Sequence, residues 1–302
     1  MQVGFIGTGN IGQPMASHLL NAGLKLLVYD VRKEAAQSLV DGGAIWVNSP
    51  KEAARLSEIV FTCLPGPSEM EDVMFGENGV AGNFPRGSLY IDFTTNSPAL
   101  IRRVHGMLVE KGVGMLDAPV SGGMEGAKTR DLTMLVGGDA AAFQRARPIL
   151  EAIAKTVIHV GGIGTGSICK VAHNSASFAR SLALIECLTL GVKAGVDAEV
   201  MLEVFQKCAL GNNFDLHVRM PSTIFRGDFK PRFALKTAFK DIRLAIELAE
   251  QHDVPTEVVS VCEKDMARAM EKGLSDLDSS VFLTLQEERA GVKVRIGSQE
   301  GE

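Results

Sequence analysis

The chain is poor in aromatic residues: 6% of its 302 residues are Phe, Tyr or Trp, and there is a single tryptophan. A core must therefore be built from aliphatic side chains, and a hydrophobic content of 46% supplies them. Five cysteines, Cys63, Cys169, Cys187, Cys208 and Cys262, are scattered, odd in number and never spaced as CxxC. That pattern argues against a disulfide framework and offers no zinc-ligand spacing, so buried free thiols in a reducing cytoplasm, and no metal, are expected. No long basic run accompanies the formal charge of −5. The electrostatic footprint of a nucleic-acid binder is missing, which leaves small molecules as partners. No apolar run approaches the length of a membrane span. MQVGFIG leads straight into a strand pattern, without the basic and apolar segments of a secretory leader.

A chain of this length suits two medium domains better than one core. Short β-branched runs at 3–7, 24–30, 58–64, 88–93, 114–120, 132–138 and 156–161 alternate with helical patterns. Alternation of this kind specifies βαβ units and a largely parallel sheet covered on both faces. After Gly166 the texture changes. Residues 167–190 contain neither Gly nor Pro and are rich in Ala, Leu, Ile and Ser, which predicts a long, mostly buried helix. Further helices are expected over 197–209, 234–252, 255–272 and 279–290, and GSQEGE (297–302) reads as a disordered tail. The expected fold class is α/β, with a doubly wound domain over 1–163 and an all-α domain over 164–302 joined by the long helix.

Gly7-Thr8-Gly9-Asn10-Ile11-Gly12 follows the first strand and opens a helix, and the second strand ends at Asp30, eighteen residues past the third glycine. Alone, GxGxxG is weak; with strand, helix and acid in place it predicts a dinucleotide site of the Rossmann type. Gly7 would turn tightly out of the strand, Gly9 would let a pyrophosphate approach the backbone, and Gly12 would let helix and strand pack closely. The N–H groups of Asn10 and Ile11 belong to the same phosphate-facing turn. A carboxylate at Asp30 would accept ribose hydroxyls and repel a 2′-phosphate, which favours NAD over NADP; Arg32 and Lys33 are the counter-signal, read here as a solvated helix start. Two further loops leave the carboxyl edge of such a sheet, at Cys63-Leu64-Pro65-Gly66-Pro67 and Thr94-Thr95-Asn96-Ser97-Pro98, and Leu64, Pro65 and Thr95 are candidate cofactor contacts. Ser97-Pro98 also reads as a helix N-cap with Pro at the first helical position.

D-A-P-V-S-G-G (117–123) ends another strand with Ser121, Gly122 and Gly123. The exposed N–H groups of such a turn make a concavity for an anion such as a substrate carboxylate, although an ordinary Gly-rich turn would look the same. Gly162–Gly166 resembles a second phosphate loop, but the helix behind it is too long for a crossover and no second strand carries an acid. Within that helix Lys170 and Asn174, at i and i+4, share one face among Ala, Ser, Val and Ile. A lysine there is either desolvated, with its pKa lowered towards the range of a general base, or snorkels to the surface; the residues alone leave both open.

Taken in order, FIGTGNIGQPMASHL (5–19), DAPVSGGMEGA (117–127), LTMLVGG (132–138), GTGSICKVAHN (164–174) and FKDIRLAIELA (239–249) resemble the β-hydroxyacid dehydrogenases, the group of 3-hydroxyisobutyrate dehydrogenase and tartronate semialdehyde reductase, over nearly the full length. The resemblance implies a Rossmann domain and an all-α domain hinged on the long helix, with the active site between them. It also implies Lys170 as catalytic acid/base, Asn174 holding the substrate, Ser121, Gly122 and Gly123 binding its carboxylate, and Lys240 reaching the cofactor. Without it, the Lys240-Asp241 pair reads as a solvated helix face. Thr8, Ile11 and His18 depart from the family's Leu, Met and Asn without touching the glycine framework. Arg130 stands where Gly is usual and His173 where a second Asn is common; Arg130 suggests a second acidic group on the substrate. The expected protein is an NAD-dependent dehydrogenase of a small β-hydroxy carboxylic acid or its semialdehyde, a homodimer or homotetramer. Its rivals are an NADPH-dependent glyoxylate or succinic semialdehyde reductase, which Asp30 disfavours, and a non-catalytic dinucleotide-binding module, which Lys170 disfavours. An imine reductase on this scaffold would carry another residue at the lysine's position.

Overall fold

The computed structural model describes residues 1–193, 195–208, 214–251 and 255–296. The expected tail at 297–302, the predicted helix ends at 209 and 252, and the side chain of Cys187 lie outside the described residues. The chain divides into two compact units, Met1–Ala172 and His173–Glu302.

In the first unit, elements run β1 (Gln2–Ile6), α1 (Gly12–Asn21), β2 (Lys25–Tyr29), α2 (Gln37–Asp41), β3 (Ile45–Trp46), α3 (Pro50–Leu56), β4 (Ile59–Thr62), α4 (Pro67–Phe75), β5 (Leu89–Asp92), α5 (Pro98–Glu110) and β6 (Gly114–Asp117). They continue through β7 (Val120–Ser121), α6 (Gly123–Thr129), β8 (Thr133–Gly138), α7 (Ala140–Ile153), β9 (Thr156–Gly161) and the start of α8 (Thr165–Lys193). One sheet has the order β3-β2-β1-β4-β5-β6-β8-β7, with β9 pairing to β8. The first six strands of that path are parallel, and β8 runs antiparallel to β6 and β7. The strand order reverses between β1 and β4, where a doubly wound sheet opens a crevice at its carboxyl edge.

Period-two alternation explains the two cores. Val3, Phe5, Val28, Phe61 and Ile91 pack with Met15 and Leu19 on one face, while Leu27, Val60, Tyr90 and Met115 pack with Ile101 and Val104 on the other. β3 was absent from the sequence reading because two residues carry no period. The predicted strand 114–120 is broken in two because Pro119 can donate no ladder bond.

The second unit holds the rest of α8, then α9 (Ala198–Lys207), α10 (Met220–Ser222), α11 (Leu235–Gln251), α12 (Glu257–Glu271) and α13 (Thr284–Ala290). Phe178, Leu182, Ile185 and Leu188 of α8 pack with Leu202, Leu235, Ile242, Met266 and Phe282 in one core. The helix predicted over 279–290 begins as a 3-10 turn, Ser279–Leu283, whose start is capped by the Asp278 carboxylate. The short turns at Asp215–Arg219, Met220–Ser222 and Ile224–Arg226 have no counterpart in the sequence reading, being shorter than the pattern that reveals a helix. Among the described residues no helix is long and apolar enough to cross a membrane.

Candidate active site

β1 delivers the chain into a turn in which each glycine has a separate reason to be one. Gly7 has φ +91°, and a Cβ there would lie 2.3 Å from the Cys63 carbonyl oxygen; at Gly12 a Cβ would lie 2.0 Å from the Gly7 carbonyl oxygen. Gly9 has nothing within 4 Å of its missing Cβ, so the backbone there is open to a ligand, as a pyrophosphate requires. In α1's first turn Pro14 has no N–H, the Gln13 and Met15 N–H groups donate to the Gly9 and Ile11 carbonyls at 2.9 and 3.4 Å, and the N-cap Ile11 supplies no side-chain bond. Asp30, one residue past β2, closes the site. Its Oδ2 accepts from the Thr8 N–H at 2.8 Å and its Oδ1 from the Arg32 N–H at 2.9 Å. Oδ2 also accepts from the Thr8 hydroxyl at 3.4 Å, while Oδ1 keeps a second lone pair with which to accept a ribose hydroxyl. These residues fit a dinucleotide. Lys33 lies over the Trp46 ring, 5.7 Å from its centroid, and so has a use other than a phosphate.

The two neighbouring loops hang on a buried network that the sequence reading missed. Asp92, at the end of β5, is fully buried. Its Oδ1 accepts from the Thr62 hydroxyl at 2.7 Å and the Thr94 N–H at 3.2 Å, and its Oδ2 from the Asn96 amide at 3.2 Å. The Thr94 hydroxyl in turn accepts from the Leu64 N–H at 3.0 Å, tying the Leu64-Pro65 loop to the Thr95 loop. Burial pushes the Asp92 carboxyl up against these bonds, and burial together with Asp92 pushes the Cys63 thiol up to about 12, which leaves it a protonated packing group. Pro98 does occupy the first turn of α5, but the Ser97 side chain makes no capping bond; the Asn96 side-chain oxygen accepts the Ser97 N–H instead.

Beyond β7, Gly122 (φ +137°) and Gly123 (φ +64°) give two successive residues that L side chains rarely follow. Gly122 is packed, since a Cβ would come within 2.8 Å of the Asp131 carbonyl oxygen; Gly123 is open, with nothing within 4 Å. Ser121 is half-buried beside them. Arg130, the C-cap of α6, has φ +63°, a conformation that glycine adopts without strain. Its guanidinium donates to the Glu151 carbonyl at 2.9 Å, so the expectation of a second acidic group on the substrate gains no support here. His18 is accounted for by a 2.8 Å contact between its ring and the Ala127 carbonyl.

The glycine-rich stretch before α8 is a helix start welded to the sheet. The buried Asp117 carboxylate accepts the Gly164 N–H and the Ser167 N–H, each at 2.7 Å, and a Cβ at Gly166 would meet the Leu135 carbonyl oxygen at 2.4 Å. Donors that a phosphate would need are already taken, which removes the second phosphate loop. Further along α8, Lys170 is half-buried and Asn174 is buried. The Asn174 amide donates to Asp241 Oδ2 at 2.7 Å, and Lys240 Nζ pairs with Asp241 Oδ1 at 2.8 Å. Asp241 is 1% exposed, so the solvated face read from its bare pattern with Lys240 is corrected: α11 turns this pair inward, onto Asn174. Asp92 and Asp117 share one signal that could have found them, an acid closing an apolar strand run. Among the described residues no group of three or more His, Cys, Asp or Glu could hold a metal ion.

Residues 2–161 match the NAD binding domain of 6-phosphogluconate dehydrogenase, and residues 164–285 match the family described as NAD-binding of NADP-dependent 3-hydroxyisobutyrate dehydrogenase. The 2-(hydroxymethyl)glutarate dehydrogenase of Eubacterium barkeri is 33% identical over 98% of this chain and 98% of its own length. The NAD-dependent L-serine dehydrogenase of Pseudomonas aeruginosa is 33% identical over 94% of this chain and 97% of its own. The structure of Mycobacterium tuberculosis 3-hydroxyisobutyrate dehydrogenase with L-serine superposes with a TM-score of 0.85 at 30% identity, covering 94% of this chain and 98% of that one. The expected α/β architecture, NAD-binding domain and oxidoreductase class therefore stand, and the chain belongs to the 3-hydroxyisobutyrate dehydrogenase family.

Proposed function

We propose that this dehydrogenase oxidises the primary alcohol of a small β-hydroxy carboxylic acid with NAD, and reduces the matching semialdehyde in reverse. The observation that carries the reading is Lys170, half-buried on α8 one turn before an Asn174 whose amide is held by Asp241. Gly7, Gly9, Asn10, Ile11, Gly12 and Asp30 hold the dinucleotide, with Leu64, Pro65, Thr95 and Lys240 completing its surroundings. Bound NAD supplies the hydride acceptor. Lys170 takes the hydroxyl proton on oxidation and returns it on reduction, Asn174 orients the reacting oxygen, and the Ser121–Gly123 turn holds the carboxylate, so that the substrate is presented in one pose. Hydroxymethylglutarate, serine and 3-hydroxyisobutyrate, named for the relatives, share a hydroxymethyl group one carbon from a carboxylate, and this is the substrate class assigned here.

Functionally, residues 1–163 bind the cofactor and residues 164–302 serve substrate and assembly. Exposed Val200 and Val204 on α9 and Val258 and Val261 on α12 support a homodimer or homotetramer, which light scattering of the purified protein tests. Free thiols at Cys63, Cys169, Cys208 and Cys262, among the described residues, support a cytoplasmic location. A screen of small hydroxy acids with NAD, following the absorbance of the reduced nicotinamide, tests the reaction: oxidation of hydroxymethyl carboxylates is expected, and inactivity towards all of them refutes the reading.

A further inference from the structure

We infer that Asp117 is a positioning residue for this reaction: it fastens the strand end that carries the carboxylate-binding turn to the helix that carries Lys170. The inference rests on the roles proposed above for Lys170 and for Ser121–Gly123.

Asp117 ends β6 and is fully buried. Both carboxylate oxygens are used, Oδ1 on the Gly164 N–H and Oδ2 on the Ser167 N–H, each at 2.7 Å, the length of a charge-assisted bond. Ser167 is the third residue of α8, the position whose N–H an N-cap side chain ordinarily satisfies. Here the cap is not local: the carboxylate comes from 50 residues earlier in the chain. No local side chain supplies it, because the residue before the helix, Gly164, whose carbonyl accepts the Ile168 N–H at 3.1 Å, has none. The long-range cap thus replaces a local one with a link between two elements.

That link is rigid on both sides. Around the carboxylate a Cβ at Gly137 would lie 2.4 Å from Asp117 Oδ1, and one at Gly166 would lie 2.6 Å from the Asp117 carbonyl oxygen, so strand and helix start meet with no room to slide. On the strand side, the Ala118 N–H donates to the Asp92 carbonyl at 2.7 Å and the Pro119 carbonyl accepts the Leu135 N–H at 3.0 Å, which pins the two residues between Asp117 and β7. Downstream, Lys170 follows Ser167 by three residues, about 4.5 Å along the helix axis. A single carboxylate thereby sets the distance from the anion turn to the proton-transferring amine. The ion is costly to keep: burial pushes its pKa up to about 6, and the buried Asp92 carboxylate adds to that push. An asparagine would avoid the charge but could accept from only one of the two N–H groups in this geometry, turning its own NH2 towards the other.

The test uses full-length Asp117→Asn beside Lys170→Met. With Asp117→Asn the expected result is a kcat for alcohol oxidation lowered by about tenfold to a hundredfold and a raised substrate KM, with the NAD dissociation constant within about twofold of wild type. The primary deuterium isotope effect on kcat should also rise, because the mispositioned step becomes rate-limiting, whereas a merely structural loss reduces active enzyme and leaves that effect unchanged. If Asp117→Asn does not fold, Ser167→Pro decides: it removes one donor in the first helical turn, where Pro is tolerated, and follows a glycine that has no Cβ to clash. Wild-type kcat, KM and isotope effect in the folded variant, with Lys170→Met inactive, overturn the inference alone. Near wild-type turnover in Lys170→Met overturns the reading beneath it, and the inference with it.

Discussion

In the proposed reaction Lys170 serves proton transfer and Asp30 cofactor choice, and each role can be tested by a change confined to one side chain. Lys170→Met keeps the aliphatic stem and removes the amine. NAD affinity is expected to be nearly unchanged while kcat falls by roughly the 10² to 10⁴ associated with a lost proton-transfer group. Steady-state kinetics and cofactor titration check it; a folded variant with near wild-type kcat would remove the acid/base assignment. At Asp30 the carboxylate gains ribose bonds with NAD and meets repulsion from the 2′-phosphate of NADP. Catalytic efficiency with NAD should exceed that with NADP by at least about tenfold, ~1.4 kcal/mol. Equal efficiencies would mean that the exposed Arg32 overrides the acid.

At the scale of elements, two glycine turns share one division of labour. The β1–α1 turn uses Gly7 and Gly12 to pack and Gly9 to stay open, and the turn after β7 repeats the division with Gly122 packed and Gly123 open. Gly123→Ala is therefore the informative substitution. A methyl group there meets no neighbour, so the cost is backbone strain at φ +64°, about 1 kcal/mol. Substrate KM should rise severalfold as the methyl group crowds the anion's approach, with NAD affinity unchanged; a normal KM in the folded variant would place the carboxylate elsewhere. α8, 29 residues long, starts against Asp117 and carries Lys170 and Asn174 one turn apart.

For the whole molecule, Asp117 leaves a signature in the dependence of stability on pH. Its carboxyl stands at about 6 in the folded protein against an ordinary 3.8. Between those values the folded state holds the proton and the unfolded chain does not, so this group's contribution to stability falls as pH rises from 3.8 towards 6. The direction is opposite to that of a salt-bridged aspartate. Urea denaturation across this range should show Asp117→Asn losing that downward component relative to wild type; parallel profiles would mean that the carboxyl is not held high.

The sequence by itself determined the architecture and most of the candidate residues. Period-two runs alternating with helices specify a parallel sheet, a Gly-free stretch specifies α8, and the spacing of three glycines and an acid specifies a dinucleotide loop, because these are local rules of backbone sterics and burial. Two-residue strands and single helical turns escaped because they are shorter than one period of any pattern. What only the tertiary structure decided are the partners of three buried acids. Asp92 gathers two loops, Asp117 caps a helix from 50 residues away, and Asp241 holds Asn174 from 67 residues away. A hydrogen bond depends on position in space, and no spacing along the chain encodes which distant N–H or amide a buried carboxylate will meet.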